Sequence, residues 1–272
     1  MNRASSRLRI YTLLIAMVII IGVPGFMITE GFSLLDAFYF CVVTIATVGY
    51  GDIHPATVAG KILALLVIMV GVGSFVGLVV NSLETYFNRK EQQARLNKLN
   101  LLIGVFFSEI GMKLLVRFSR LDPDIEAIRH DLIITGEWTN EAFTKVSNAL
   151  PHREYHIDLK RADLKELREF LFLRRDFLLR LLENPMVFEQ EQFTQALQAL
   201  FHLTEELGYR KTIENLPESD LEHLAGDMTR SYRLMVLEWL NYMRYLQESH
   251  PYLFSLAMRT NPFDQFASPV VE

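Results

Sequence analysis

Six consecutive residues, Thr47-Val48-Gly49-Tyr50-Gly51-Asp52, are of the types needed to strip water from a cation and hold it. A dehydrated cation needs oxygen ligands on all sides. Successive backbone carbonyls point at one axis only where some residues leave the right-handed regions, and Gly49 and Gly51 make that step cheap. Thr47 adds a hydroxyl as a further ligand at the inner end, while Val48 and Tyr50 are expected to turn outward and wedge the loop against surrounding helices. Asp52, in several copies, makes the outer mouth negative and concentrates cations there. One chain supplies one loop, whereas a closed ring of carbonyls needs four. The expected assembly is a homotetramer with its pore on the four-fold axis.

Such a loop has to be held at membrane depth, and the distribution of charge says where. Of 272 residues, the first 85 hold only 4 of 27 Lys+Arg and 4 of 32 Asp+Glu, so two different materials meet near residue 85. Nine of the 14 glycines fall in that shorter first part. Ile10–Ile28 and Ile62–Leu83 are free of charge and, as helices, reach about 28 Å and 33 Å, enough to cross a bilayer. The first is too long for a cleavable signal and no A-x-A-like site follows it. Arg3, Arg7, Arg9, Arg89, Lys90, Arg95 and Lys98 flank one side and Lys61 the other, so both termini are expected in the cytoplasm of a multi-pass cell-membrane protein. Leu101–Phe107 is apolar but interrupted too soon by Glu109, Lys113 and Arg117 to be a third span, and suits a buried or membrane-surface helix. Between the spans, 34–46 reads as an apolar helix too short to cross, a re-entrant pore helix that delivers the loop 47–52.

The loop in this setting resembles the selectivity filter of potassium channels. Residues 8–90 are similar to the two-transmembrane-helix potassium channels of bacteria and archaea, most of all the calcium-gated kind, which approach the filter as Thr44-Ile45-Ala46-Thr47 does here. The resemblance implies potassium ions at Thr47, Val48, Gly49 and Tyr50, passive conduction with no cofactor beyond the permeant ion, and gating at the inner helices. Ala46 stands where relatives often carry threonine or serine, which bears on inner blockers rather than on selectivity. Val43 stands where some relatives carry a glutamate paired with the filter aspartate, so Asp52 needs another partner or water. In the second span, the resemblance makes Gly71, with Gly73, a hinge that lets inner helices splay; the competing reading is that Gly73-x-x-x-Gly77 permits close helix contact. Val76, Val80 and Leu83 are candidates for an apolar constriction, with Glu84 near the exit. No span carries an arginine at every third position, so no voltage sensor is expected.

The expected fold class is an all-α membrane protein, with a pore domain over 1–90, a cytoplasmic helical domain over 91–260 and a loosely held tail over 261–272. A helix running on from the second span through Glu91–Leu99 would carry force to the gate. Farther on, Asp122-Pro123 starts a helix, Gly136 stops it, and Thr139 starts another that ends near Pro151. One stripe runs from Asp163 to Glu183 through Leu164, Leu167, Leu171, Leu178 and Leu182, and a second joins Phe193, Leu197, Leu200, Thr204 and Leu207. Ser219 with Glu222 suggests a capping box for a helix that His250-Pro251 ends. Five glycines in this half and no G-x-G-x-x-G argue against the nucleotide-binding-like regulatory domain of the calcium-gated channels.

Other function classes are poorly supported. His130, His152, His156, His202, His223 and His250 are scattered without a catalytic or zinc-binding spacing, so no enzyme and no metal centre other than the potassium sites is expected. A net charge of −5 without a strongly basic run argues against nucleic acid, and a lone Cys41 cannot form an intrachain disulfide. The expected partners are potassium, lipid and other copies of the chain, with the cytoplasmic ligand and the stimulus open. The alternative function is a membrane-anchored signalling or scaffold protein with a non-conducting pore module.

Overall fold

The computed structural model describes residues 3–270, with side chains from Ser6 to Val270. The side chain of Arg3, counted in the charge asymmetry, and residues 271–272 of the expected tail lie outside the described residues. Among the described residues every regular element is helical, as the patterning requires. The chain divides into two compact units, Met1–Ala94 and Arg95–Glu272.

The first unit is built from α1 (Arg3–Glu30), α2 (Leu34–Ile45), α3 (Val58–Val67) and the start of α4 (Gly73–Phe106), with a π-helical turn, Ile68–Val72, joining α3 to α4. The helical stretches Ser6–Glu30 and Val58–Leu121 are long and apolar enough to cross a membrane. The second outruns the uncharged segment expected to span because residues 84–98, with two each of Glu, Gln, Arg and Lys, end the apolar face without ending the helix. Ser33 caps α2: its Oγ accepts from the Asp36 N–H at 3.1 Å and donates to Asp36 Oδ2 at 2.7 Å. Val23 and Phe26 of α1, Ala37, Cys41 and Ile45 of α2, and Ala64 and Val67 of α3 bury one another in a small core.

The second unit contains the rest of α4, a π-helical turn Phe107–Gly111, α5 (Met112–Leu121), α6 (Glu126–Leu132), α7 (Asn140–Ala149), α8 (Leu164–Phe172), α9 (Arg175–Leu182), α10 (Glu191–Tyr209), α11 (Glu218–Ser249) and α12 (Pro251–Arg259). Its core is aromatic, with Trp239, Tyr232, Phe106, Phe107, Phe118, Phe143, Phe193 and Phe263 fully buried. Leu99, Ile103, Phe106 and Phe107 belong to that core, so the apolar run at 101–107 is an interior helix of the second unit. Along α10, Phe193, Leu197, Leu200, Thr204 and Leu207 are all buried, and the Thr204 hydroxyl donates to the Leu200 carbonyl at 2.7 Å.

Several boundaries differ from those read in the sequence. The stripe at 163–183 is two helices, α8 and α9, broken at Leu173-Arg174; the second buries Leu178 and Leu181, with Leu182 partly buried against the same core. Pro217 is the N-cap of α11, which puts Ser219 inside the helix and removes the capping box: proline's fixed φ, −58° here, already suits the position before the first turn. Asp122 ends α5 instead of starting a helix, its carboxylate accepting from the Asp124 N–H at 3.0 Å. The start of the tail is held, not loose. Asn261 is 2% exposed and donates to the Leu132 carbonyl at 2.8 Å, and Phe263, 1% exposed, packs edge-on against Trp239.

Several ionisable groups sit in the interior of the second unit against the usual preference, Asp122, Asp227 and Glu238 among them. Glu238, on the buried face of α11, receives a hydrogen bond from Gln190 Nε2 at 3.0 Å, and burial pushes its carboxyl up to about 7.

Candidate pore loop and a histidine cluster

The loop from Thr47 to Asp52 follows directly from the C-terminus of α2. Ala46 is the C-cap, so the helix ends at Ile45, one residue short of the expected pore-helix boundary. Thr47, Gly49 and Gly51 have φ of +59°, +57° and +81°, alternating with Val48 and Tyr50, which keep ordinary backbone. The N–H groups at the start of the loop turn back toward the helix: Thr47 donates to the Thr44 carbonyl at 3.1 Å, and Val48 and Gly49 donate to that of Val43 at 2.9 and 3.4 Å. Because a trans peptide sets C=O opposite N–H, the carbonyls of Ala46, Thr47 and Val48 point away from α2. The positive φ of the two glycines was legible in the sequence. That of Thr47 was not, since a β-branched residue there costs about 1–3 kcal/mol and persists only where its neighbours over-determine it.

Asp52 finds a partner that the sequence left open. The Tyr39 hydroxyl, one turn into α2, donates to Asp52 Oδ2 at 2.9 Å and ties the outer end of the loop to the helix. Glu30, noted in the sequence only as a charge, does similar work on the far side: its carboxylate accepts from the N–H groups of Ala56 and Thr57 at 2.9 and 3.1 Å and from the Thr57 hydroxyl at 2.6 Å. Thr57 in turn caps α3, its Oγ1 accepting from the Gly60 N–H at 3.0 Å. An anion at the N-terminus of a helix is favourable, and a lone carboxylate closing α1 in a stretch without basic residues was the available signal. The fit is close enough that a Cβ on Gly60 would collide with Glu30 Oε1.

The expected wedge does not form within one chain. Val48 and Tyr50 are 50% and 72% exposed, so whatever packs against them is not part of this chain. Gly71 lies in the π-helical turn, and a Cβ on it would meet Ile45 Cγ1 at 2.7 Å and Val18 Cγ1 at 3.4 Å. It therefore lets the inner helix close on the last turn of α2. Gly73 has nothing within 4 Å of such an atom. Val76, Val80 and Leu83 are each about half exposed.

In the second unit the structure assembles histidines that the sequence left scattered. His202 on α10 and His223 and Asp227 on α11 bring their ligand atoms within 4.8 Å of one another. Each belongs to an i,i+4 pair with a carboxylate, His202-Glu206 and His223-Asp227, on helices adjacent in sequence. That pairing was the visible signal, and a search for zinc-finger spacing passes over it.

Comparison with known proteins places the two units. Residues 95–259, more than half of the chain, match the family described as Uncharacterized protein MJ1433, C-terminal helical domain. The chain belongs to this family. The protein MJ1433 of Methanocaldococcus jannaschii is 41% identical over 187 residues, covering 69% of this chain and 75% of that one. Residues 13–88 match the ion-channel family model. Potassium channel protein 1 of the same organism is 33% identical over 156 residues, 49% of this chain and 47% of its own, and two-pore potassium channel 2 of Arabidopsis thaliana is 31% identical over 105 residues, 37% and 24%. The chain thus spans less than half the length of these channel relatives. No solved structure matches it. The first unit is a channel module of a membrane protein, homologous to those of potassium channels, and the resemblance stated for residues 8–90 holds. The second is a separate helical family, not a nucleotide-binding-like regulatory domain.

Proposed function

We propose that the protein is a potassium-selective channel that conducts passively as a homotetramer in the cell membrane. The observation that carries this reading is the alternation of positive φ at Thr47, Gly49 and Gly51, with the first N–H groups of the loop turned back into α2. Alternating backbone of this kind lets successive carbonyls face one side, where they replace the hydration shell of a cation. Four loops around an axis complete the cage. Thr47, Val48, Gly49, Tyr50 and Gly51 line it, and Asp52, steadied by Tyr39, sets a negative outer mouth. The exposed Val48 and Tyr50 supply the faces that neighbouring copies cover.

Both termini face the cytoplasm in this reading, and the helical domain over 91–260 acts on the inner helices. Gly71 and Gly73 have separate parts in it. The π-helical turn holds Gly71 against Ile45, two residues before the filter, and Gly73 is free to absorb bending. Purified full-length protein in liposomes tests the proposal: a reversal potential that follows potassium and ignores sodium supports it. Sustained absence of flux in tetrameric protein favours the scaffold alternative.

A further inference from the structure

We infer that α10 and α11 hold a divalent transition-metal site, with His202, His223 and Asp227 as ligands and Zn2+ as the ion it fits best. The site stands apart from the pore reading, because all its atoms belong to the second unit. The two helices are consecutive, and His223 lies near Glu206 at 3.8 Å while His202 lies near Asp227 at 3.3 Å. This crossed pairing is what two antiparallel helices produce when each carries a histidine and a carboxylate one turn apart.

Distances decide between coordination and a plain ion pair. His202 Nε2 and His223 Nε2 lie 3.3 and 3.4 Å from the same oxygen, Asp227 Oδ2. Neither contact is aligned as an N–H···O hydrogen bond, and Oδ2 is buried with no hydrogen-bond partner among the described residues. The Asp227 side chain is 7% exposed, so an orphaned carboxylate oxygen is aimed at two imidazoles. A tetrahedron with bonds of about 2.05 Å has edges of about 3.35 Å, whereas an octahedron of the same bonds has edges of about 2.9 Å. The two edges to Oδ2 match the tetrahedron, and the third, between the imidazoles, lies within 4.8 Å.

Charge and donor type narrow the ion further. With both histidines neutral, Asp227, Glu206 and Asp220 against Arg210 leave a local charge of about −2, which a divalent cation neutralises. Arg210 already binds Glu206 Oε2 at 2.8 Å and Asp220 Oδ1 at 2.6 Å, so its own charge is engaged there. Two imidazoles and one carboxylate suit Zn2+ and its first-row neighbours rather than Mg2+ or Ca2+, which take oxygen cages. Three protein ligands leave a fourth position for water or for Glu206 Oε1, which is 4.0 Å from His202 Nε2. The histidine side chains are 49% and 55% exposed, so the ion can enter and leave without unfolding the domain.

The test is titration of the full-length protein in detergent with Zn2+ by calorimetry, and with Co2+ by visible absorption. The expected result is one ion per chain, an intense tetrahedral Co2+ spectrum, no displacement by a large excess of Mg2+, and a melting temperature raised by several degrees. His202→Ala, His223→Ala and Asp227→Asn should each weaken binding at least about tenfold. Circular dichroism without metal checks that these variants remain folded; the more conservative His202→Gln and His223→Gln serve should an alanine variant misfold. No saturable binding, or binding that survives in folded H202A/H223A, would overturn the assignment.

Discussion

At the scale of single residues, the loop depends on backbone that only a few side chains permit. Replacing Gly49 or Gly51 by alanine puts a Cβ where φ is positive, at about 1–2 kcal/mol each. Potassium flux in liposomes should fall to background while the chain still inserts. Tyr39→Phe removes the hydroxyl that donates to Asp52, and flux should fall several-fold with the reversal potential unchanged, because the tie lies outside the carbonyl ladder. Glu238 makes a prediction about pH. Its folded-state value, about 7, lies above the ordinary 4.5, so between these values the folded chain holds a proton that the unfolded chain releases. Stability from this group is therefore full below pH 4.5 and is lost as pH rises through 7, by an amount on the order of 3 kcal/mol. Glu238→Gln should flatten that slope and raise the melting temperature at pH 8, read by calorimetry. The filter glycines could be read directly from their types. Tyr39 could not, because it acts on a residue that only the folded chain brings near it; Glu30 and the pairs His202-Glu206 and His223-Asp227 left a signal, but which residues they meet was not legible.

At the scale of elements, the channel module is held by tight approaches between helices. Gly71→Ala would drive a methyl group into Ile45, and overpacking of this kind costs about 1–3 kcal/mol. Since Ile45 is the last residue of α2, the strain should reach Thr47, and both thermal stability and potassium flux are expected to drop. Gly73→Ala meets nothing within the chain, so any change it makes to open probability reports on bending or on contacts between copies. Uncharged length placed α1 and the α3–α4 stretch as spans, and an apolar stripe placed α10, where burial of one face dictates the period. They did not place the break between α8 and α9, where a chain of good helix formers turns at Leu173-Arg174 to bury Leu178 and Leu181 together. Local preference lost there to tertiary packing.

At the scale of the whole molecule, two families are joined in one chain, and the join is where function can be dissected. A chain ending at Ala94 removes all of the second unit and none of the first. It should insert, form tetramers and conduct without a stimulus; tetramers that crosslink but stay silent would show instead that the helical domain is needed to open the pore. Cutting a few residues later would leave Leu99 as a stray piece of the second core. The seating of Phe263 on Trp239, with Asn261 locked to the Leu132 carbonyl, has a consequence for the order of biosynthesis. Translation must pass Phe263 before the helical domain can close, roughly 10–40 s after α3 has been made at 5–20 residues per second. Nascent chains in the bilayer can therefore meet through their channel modules while the helical domains are still unfinished, and a ribosome stalled after α12 would leave inserted subunits carrying an open, sticky core.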